Sequence, residues 1–154
     1  MVVDSGRKWK MFGQYKRNID DKKRLALPSK LRDDLGSKIY LTVGLEGIVE
    51  IRSEKEFNKF VEVLNQQNSF DTNARFVRRF WLSNTQEIEL DNQGRFVVPK
   101  QFLDKAAIQK EAIFVASGNL VELWGSEKFD QYCQNFNDSD ISSAAQKILE
   151  RSGK

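Results

Sequence analysis

Short apolar runs broken by polar turns fill the first part of the chain. Gln14 to Ile19 and Arg24 to Leu27 read as two strands around Asp20-Asp21-Lys22-Lys23, a hairpin with a four-residue turn. Pro28 and Ser29 open a short helix that runs to Leu35, and Gly36 stands where a helix commonly ends. Ile39 to Val43 and Ile48 to Ile51 form a second strand pair across Gly44-Leu45-Glu46-Gly47. The period then changes. Phe57, Phe60, Val61 and Leu64 follow Ser53 at helical spacing, with Glu56 in the capping-box position, and this stripe reads as core packing. Residues 65–70 are a polar connector, the expected joint between two halves. Asp71 starts another helix with Phe76, Val77 and Phe80 on one face. Arg75, Arg78 and Arg79 occupy its other faces, where they suit a phosphate contact, a solvated face or an interface.

The same order then returns. Gln86 to Leu90 and Arg95 to Val98 flank Asp91-Asn92-Gln93-Gly94, Pro99 opens a short helix to about Ala107, and Ala112 to Ser117 and Leu120 to Trp124 flank Gly118-Asn119. Ser126 and Glu127 open a helix carrying Phe129, Tyr132 and Phe136. Asp20, Arg24, Pro28 and Leu31 recur 71 positions later as Asp91, Arg95, Pro99 and Phe102, and Val49-Glu50-Ile51 matches Val121-Glu122-Leu123. The fold class expected is therefore α+β: two tandem β-rich half-domains, each hairpin, short helix, hairpin, helix, related by internal duplication. The expected organisation is a flexible extension over 1–10, a first unit over 11–70, a second over 71–136, and a tail over 137–154. Within the tail, Ile141, Ala145, Ile148 and Leu149 lie near helical spacing, for a helix that docks on a neighbour or a fraying end.

Composition narrows the function classes. A chain of 154 residues with 40% apolar content and 11 Phe can bury a core. No apolar run is long enough for a bilayer-spanning helix, and no secretion signal is visible, so the expectation is a cytoplasmic protein. The single Cys133 excludes an intrachain disulfide and reads as a partly buried thiol. The chain has no histidine, which removes Ser-His-Asp and Cys-His catalysis and imidazole metal sites. No P-loop or G-x-G-x-x-G stands in the sequence. No cofactor, membrane or small-molecule substrate is expected, and an enzyme using Asp20 and Asp91 as acid and base is disfavoured because their arginine neighbours keep carboxylates ionised. Net charge is +3, but residues 1–32 carry ten basic against three acidic side chains, leaving the rest of the chain at −4. A basic end on an acidic body is a footprint for polyanions, or else a solvated arm.

The repeated D-x-x-x-R motif has a direct physical reading. An Asp at the start of a turn accepts hydrogen bonds from backbone N–H groups two or more residues on. A glycine at the fourth place supplies positive φ, and the Arg that follows opens the return strand close to the Asp. The carboxylate can then hold the guanidinium in one direction, ready for guanine O6 and N7 or for phosphate. A turn pinned by its own ion pair, with no further role, is the alternative. The motif occurs twice, and paired features suit a repetitive partner such as DNA. The first copy has Lys23 where the second has Gly94; left-handed backbone there costs a non-glycine residue about 1 kcal/mol. Lys22, Lys23 and Arg24 place three cations at that tip.

The string Met-Phe-Gly, then Asn-Ile-Asp-Asp-Lys-Lys-Arg-Leu-Ala-Leu-Pro-Ser-Lys-Leu-Arg, Leu-Thr-Val-Gly-Leu-Glu-Gly and Glu-Leu-Asp-Asn-Gln-Gly-Arg-Phe-Val-Val-Pro resembles the MraZ family over residues 11–136. The resemblance implies SpoVT/AbrB-like units in a ring-shaped homo-oligomer, and a nucleoid-associated bacterial transcriptional regulator of the division and cell-wall gene cluster. Such proteins bind direct repeats in double-stranded promoter DNA. By position, Arg24 and Arg95 match the DNA-facing arginines, Asp20 and Asp91 the acids that orient them, and Lys22 and Lys23 flank the first tip. Lys23 departs from the family's turn glycine, residues 1–10 precede its usual start, and the tail after 136 lies outside its motifs. A non-catalytic oligomeric scaffold and an antitoxin-type AbrB-like repressor with a protein partner remain as alternatives.

Overall fold

A computed structural model describes residues 11–153, so the extension expected over 1–10 lies outside the described residues. The described residues form eight strands and six α-helices. Residues 11–83 supply β1 (Met11–Asn18), β2 (Arg24–Ala26), α1 (Ser29–Leu35), β3 (Lys38–Val43), β4 (Val49–Ser53), α2 (Glu54–Asn65) and α3 (Thr72–Ser83). Residues 85–152 supply β5 (Thr85–Glu89), β6 (Arg95–Val97), α4 (Lys100–Ala106), β7 (Glu111–Gly118), β8 (Val121–Gly125), α5 (Ser126–Gln134) and α6 (Asp138–Ser152). The α+β class and the duplicated order match the expectation from sequence. No described helix is long and apolar enough to cross a membrane.

The pairing of the first strands differs from that expectation. Residues 14–19 and 24–27 do not form a hairpin ladder with each other, and neither do 86–90 and 95–98. The turns close locally: Asp20 N–H donates to Arg24 O at 3.1 Å, and Asp91 N–H to Arg95 O at 2.9 Å. Beyond the turns the strands part. β1 pairs antiparallel with β7 of the other half along eight residues, from Met11 opposite Gly118 to Asn18 opposite Glu111. β5 crosses in the same way to β3, with Lys38 opposite Glu89. β2 and β6 pair only with each other, as a two-stranded ribbon. A three-residue β2 could satisfy only part of β1, whereas β7 offers the whole length. More backbone groups are paired by exchange than by a local hairpin. A turn signal fixes where the chain reverses, but the neighbour that each strand meets is settled by the ladder it completes.

The result is a six-stranded sheet in the order β1-β7-β8-β4-β3-β5, symmetric about its middle, where Glu50 lies directly opposite Glu122. The remaining hairpins, β3–β4 and β7–β8, form as the sequence predicts. On one sheet face Ile39, Leu41, Val49, Ile51, Phe114, Val121 and Leu123 pack under the ribbon and under α1 and α4, with Leu25, Leu31, Phe96 and Phe102 supplied from above. The other face carries the late helices. Tyr40 stacks on Phe57 of α2 with ring centroids 4.4 Å apart, and Trp124 meets Phe129 of α5 at 5.2 Å.

The two halves start these helices differently. Ser53 caps α2 by accepting from Glu56 N–H at 3.1 Å, but the Glu56 carboxylate turns to Lys59 and Asn119, so only one arm of the expected capping box is made. Gly125 takes the matching place before α5, because a Cβ there would collide with the carbonyl oxygen of Ala107. Exposure adds further findings. Phe76 and Phe80 of α3 face solvent, and that helix is held instead by Trp81, 5.3 Å from the ring of Phe60. Cys133, expected to be partly buried, is an exposed free thiol on α5. Of the three arginines on α3, Arg75 folds back onto its own chain, donating to Ser69 O at 2.9 Å.

The central Glu50–Glu122 contact carries a pH prediction. Burial, more than the facing Glu50 carboxylate, pushes Glu122 above its ordinary value of 4.5, while a hydrogen bond donated by Trp124 Nε1 at 3.1 Å works against the rise. A raised folded value means that stability is full below the ordinary carboxylate range and is lost as pH rises through the raised one. Glu122→Gln keeps the acceptor for Trp124 and removes the charge. At pH 7 it is expected to stabilise by about 0.2–1 kcal/mol, the scale of a like-charge cross-strand pair. In thermal melts that gain disappears near pH 3, where the native carboxyl is protonated; a gain independent of pH would refute the assignment.

Candidate nucleic-acid interface

Each half of the ribbon begins with a turn built by one carboxylate. Asp20 Oδ1 accepts from Lys22 N–H at 2.9 Å and from Arg24 N–H at 2.8 Å, while Oδ2 accepts from Arg24 Nε at 2.8 Å. Asp91 repeats this with Gln93 N–H at 2.8 Å, Arg95 N–H at 2.9 Å and Arg95 Nε at 3.0 Å. Each acid thus shapes the backbone with one oxygen and orients the arginine with the other. Hydrogen bonds hold both carboxyls below their ordinary value of 3.8, the arginine backbone N–H in each turn contributing most and the guanidinium adding to it, against a smaller cost of desolvation. A lowered folded value makes this contribution complete above the ordinary carboxylate range, and it is lost as pH falls through the lowered one.

The fourth turn residue needs left-handed backbone in both copies: φ is +63° at Lys23 and +75° at Gly94. The strain expected of Lys23 is therefore present. The carbonyls of these residues tie the tips together, Lys23 O accepting from Val98 N–H and Gly94 O from Leu27 N–H, each at 2.9 Å.

Strand alternation then sorts the ribbon into two faces. Leu25 and Phe96 point into the core, 0% and 3% exposed. Arg24, Ala26, Arg95 and Val97 share the outer face, with Arg24 opposite Val97 and Arg95 opposite Ala26. The two arginines are diagonal neighbours across one ladder, about 7–8 Å apart at the backbone. Their side chains are 26% and 33% exposed, and only Nε is engaged by the carboxylate, so both terminal nitrogens of each guanidinium remain available. Lys22 and Lys23 are exposed beside the first tip. The structure therefore brings Asp20, Lys22, Lys23, Arg24, Asp91 and Arg95 onto one small ribbon. Val97, 56% exposed between the arginines, was not singled out from sequence; its place in an alternating run whose neighbours are buried was the available signal.

Such a molecule is a tandem-duplicated α+β protein whose halves exchange strands and whose shared ribbon displays two carboxylate-oriented arginines. Comparison with known proteins identifies the lineage. The family model described as "MraZ protein, putative antitoxin-like" matches twice, over residues 11–80 and 81–152. The protein named Transcriptional regulator MraZ of Mycoplasmopsis pulmonis is 42% identical over 140 residues, 91% of this chain and 95% of that protein. Proteins of the same name from Mycoplasma mobile and Mesomycoplasma hyopneumoniae are 38% and 35% identical, over 92% and 93% of this chain and 97% and 98% of their own lengths. The chain belongs to the MraZ family.

Proposed function

We propose that this protein is a DNA-binding transcriptional regulator that lays the outer face of the β2–β6 ribbon on promoter DNA. The observation that carries the reading is the common outward face of Arg24 and Arg95, each fixed at Nε and open at its terminal nitrogens. A two-stranded ribbon fits the major groove, and an oriented guanidinium can take guanine O6 and N7 together. A backbone separation of about 7–8 Å spans roughly two base-pair steps. Ala26 and Val97 between them are small apolar groups of the kind that meet a thymine methyl. Lys22 and Lys23 extend the reach to phosphate. The regulated region in this reading is the division and cell-wall gene cluster, through direct repeats upstream of the protein's own gene, in the cytoplasm at the nucleoid. The test is binding of the assembled protein to that upstream duplex and to a scrambled duplex of equal composition. Equal affinity for both would remove sequence-specific regulation.

Repeated half-sites call for repeated subunits, and we place the ring contacts on the late helices. Six residues separate α2 from α3, which folds back so that Trp81 meets Phe60; only three separate α5 from α6. Ile141, Ile148 and Leu149 of α6 are left 64%, 58% and 69% exposed, and Tyr132 and Phe136, which precede it in the chain, are exposed as well. Phe76 and Phe80 are uncovered on α3, a helix with three arginines and no acid, whereas α6 opens with Asp138 and Asp140. Two unlike, charge-complementary faces give head-to-tail contacts, which close into rings or run on as filaments. Ile148→Asp with Leu149→Asp is expected to reduce the particle to single chains in sedimentation, with the melting temperature changed by little. An unchanged particle size would contradict this placement. The antitoxin-type reading would instead seat a second small protein on α6, and co-purification of one would favour it.

A further inference from the structure

Arg32 stands outside the D-x-x-x-R motif, and its surroundings are unusual. It lies on α1, one residue after the core residue Leu31, and its side chain reaches across to the second tip. There it covers Gly94: a Cβ at that position would collide with Arg32 Nη1 and fall 2.7 Å from its Cδ and Cζ. Its Nε is shut off from solvent without a hydrogen-bond partner. No carboxylate of the described residues pairs with it, although every other tip cation with a buried stem has one: Arg24 has Asp20 and Arg95 has Asp91. The shut-off Nε leaves Arg32 one hydrogen bond short, and a guanidinium with no carboxylate beside it can take an anion from outside.

The duplication shows what the arrangement replaces. Lys23 occupies the position of Gly94 in the first tip, and Leu103 the position of Arg32. The first tip therefore carries a cation from its own turn with an apolar residue on the neighbouring helix. The second carries a side-chain-free turn with a cation brought in from α1. Both arrangements put one positive group beside an oriented arginine, so the charge is kept while its source changes.

We infer that Arg32 is a nucleic-acid phosphate contact of the second tip, the counterpart of Lys23 at the first, and that Gly94 is glycine partly to let it lie there. This rests on the DNA-binding reading above and adds a residue that reading does not contain. Arg32 supplies a phosphate clamp next to Arg95, so its share of affinity is electrostatic and insensitive to base sequence. Lys23 keeps its positive φ for the same service, since its side chain has no helix cation to stand in for it.

The test is a salt titration of binding to the upstream duplex and to the scrambled duplex. Arg32→Leu, which copies the residue found in the other half, is expected to weaken both several-fold and to lower the slope of log K against log salt by about 1 for each tip in contact. Should that variant melt early, Arg32→Gln, which keeps the stem over Gly94, is read in its place with the same expectations. A further variant moves the arrangement: Lys23→Gly alone weakens binding, and Lys23→Gly with Leu103→Arg restores it. An unchanged slope and affinity for the Arg32 variants, while Arg24→Ala weakens binding, would overturn this inference and leave the wider reading standing. A weaker affinity with an unchanged slope would assign Arg32 a merely structural role and also overturn it. Undiminished binding by Arg24→Ala, Arg95→Ala and Arg32→Leu together would instead remove the DNA-binding reading itself.

Discussion

Replacing Arg24 and Arg95 together by alanine is expected to abolish sequence-specific DNA binding while leaving the fold intact. Each guanidinium that grips a guanine contributes about 1–3 kcal/mol of discrimination, roughly five- to more than a hundredfold in affinity. Every chain offers two, and a multi-subunit assembly multiplies the loss through effective concentration. Stability should hardly change, because the Asp20–Arg24 and Asp91–Arg95 pairs are partly exposed and such pairs are worth about 0–1 kcal/mol. The backbone half of each turn survives as well, since Asp20 Oδ1 and Asp91 Oδ1 still accept their N–H groups. Titration of labelled duplex against the double variant, beside a melting curve, reads both quantities. A variant that binds normally, or one that loses binding only because it unfolds, would contradict the account. Each single variant should retain weakened binding, because the other arginine still faces the groove.

The largest loss of stability belongs to Phe102→Ala. Phe102 is fully buried beneath the ribbon and is the second-half counterpart of Leu31. Emptying such a site costs about 3–5 kcal/mol, a large part of the 5–15 kcal/mol that holds a typical domain. Because β1 and β5 have crossed between halves, the damage should not stay in the second half. One cooperative transition at lower denaturant is expected, followed by circular dichroism with the slope of unfolding unchanged. Two separated transitions, or a loss below about 1 kcal/mol, would show that the halves fold independently and that the exchanged strands carry little.

Much of this architecture could be read from the chain, for physical reasons that differ between elements. The duplication was visible because a D-x-x-x-R turn, a Pro-initiated helix and a glycine-bounded hairpin each constrain residue type locally. α1, α4 and the β3–β4 and β7–β8 hairpins follow those signals closely. The partners of β1, β2, β5 and β6 were not legible. A turn such as Asp20–Lys23 looks alike whether its strands stay together or part, and only the competing eight-residue ladder on β7 decides. The apolar stripe on α3 was legible only in part. Helical spacing shows that Phe76 and Phe80 share a face, but not whether the cover is this chain or another copy. At the ribbon, the pairing of each acid with its arginine was foreseen from spacing alone, and the distances agree. Arg32 was not foreseen, because its relation to Gly94 joins residues 62 positions apart in the sequence.

The central claim is that the ribbon turns two oriented arginines toward guanine edges in a major groove. Methylation of guanine N7 by dimethyl sulfate examines that edge directly. On the upstream duplex, the native protein should protect guanines at regularly repeated positions, and the Arg24→Ala, Arg95→Ala double variant should restore their methylation at protein concentrations where a retarded complex is still seen. Full methylation under saturating native protein, or protection that persists in the double variant, would contradict it.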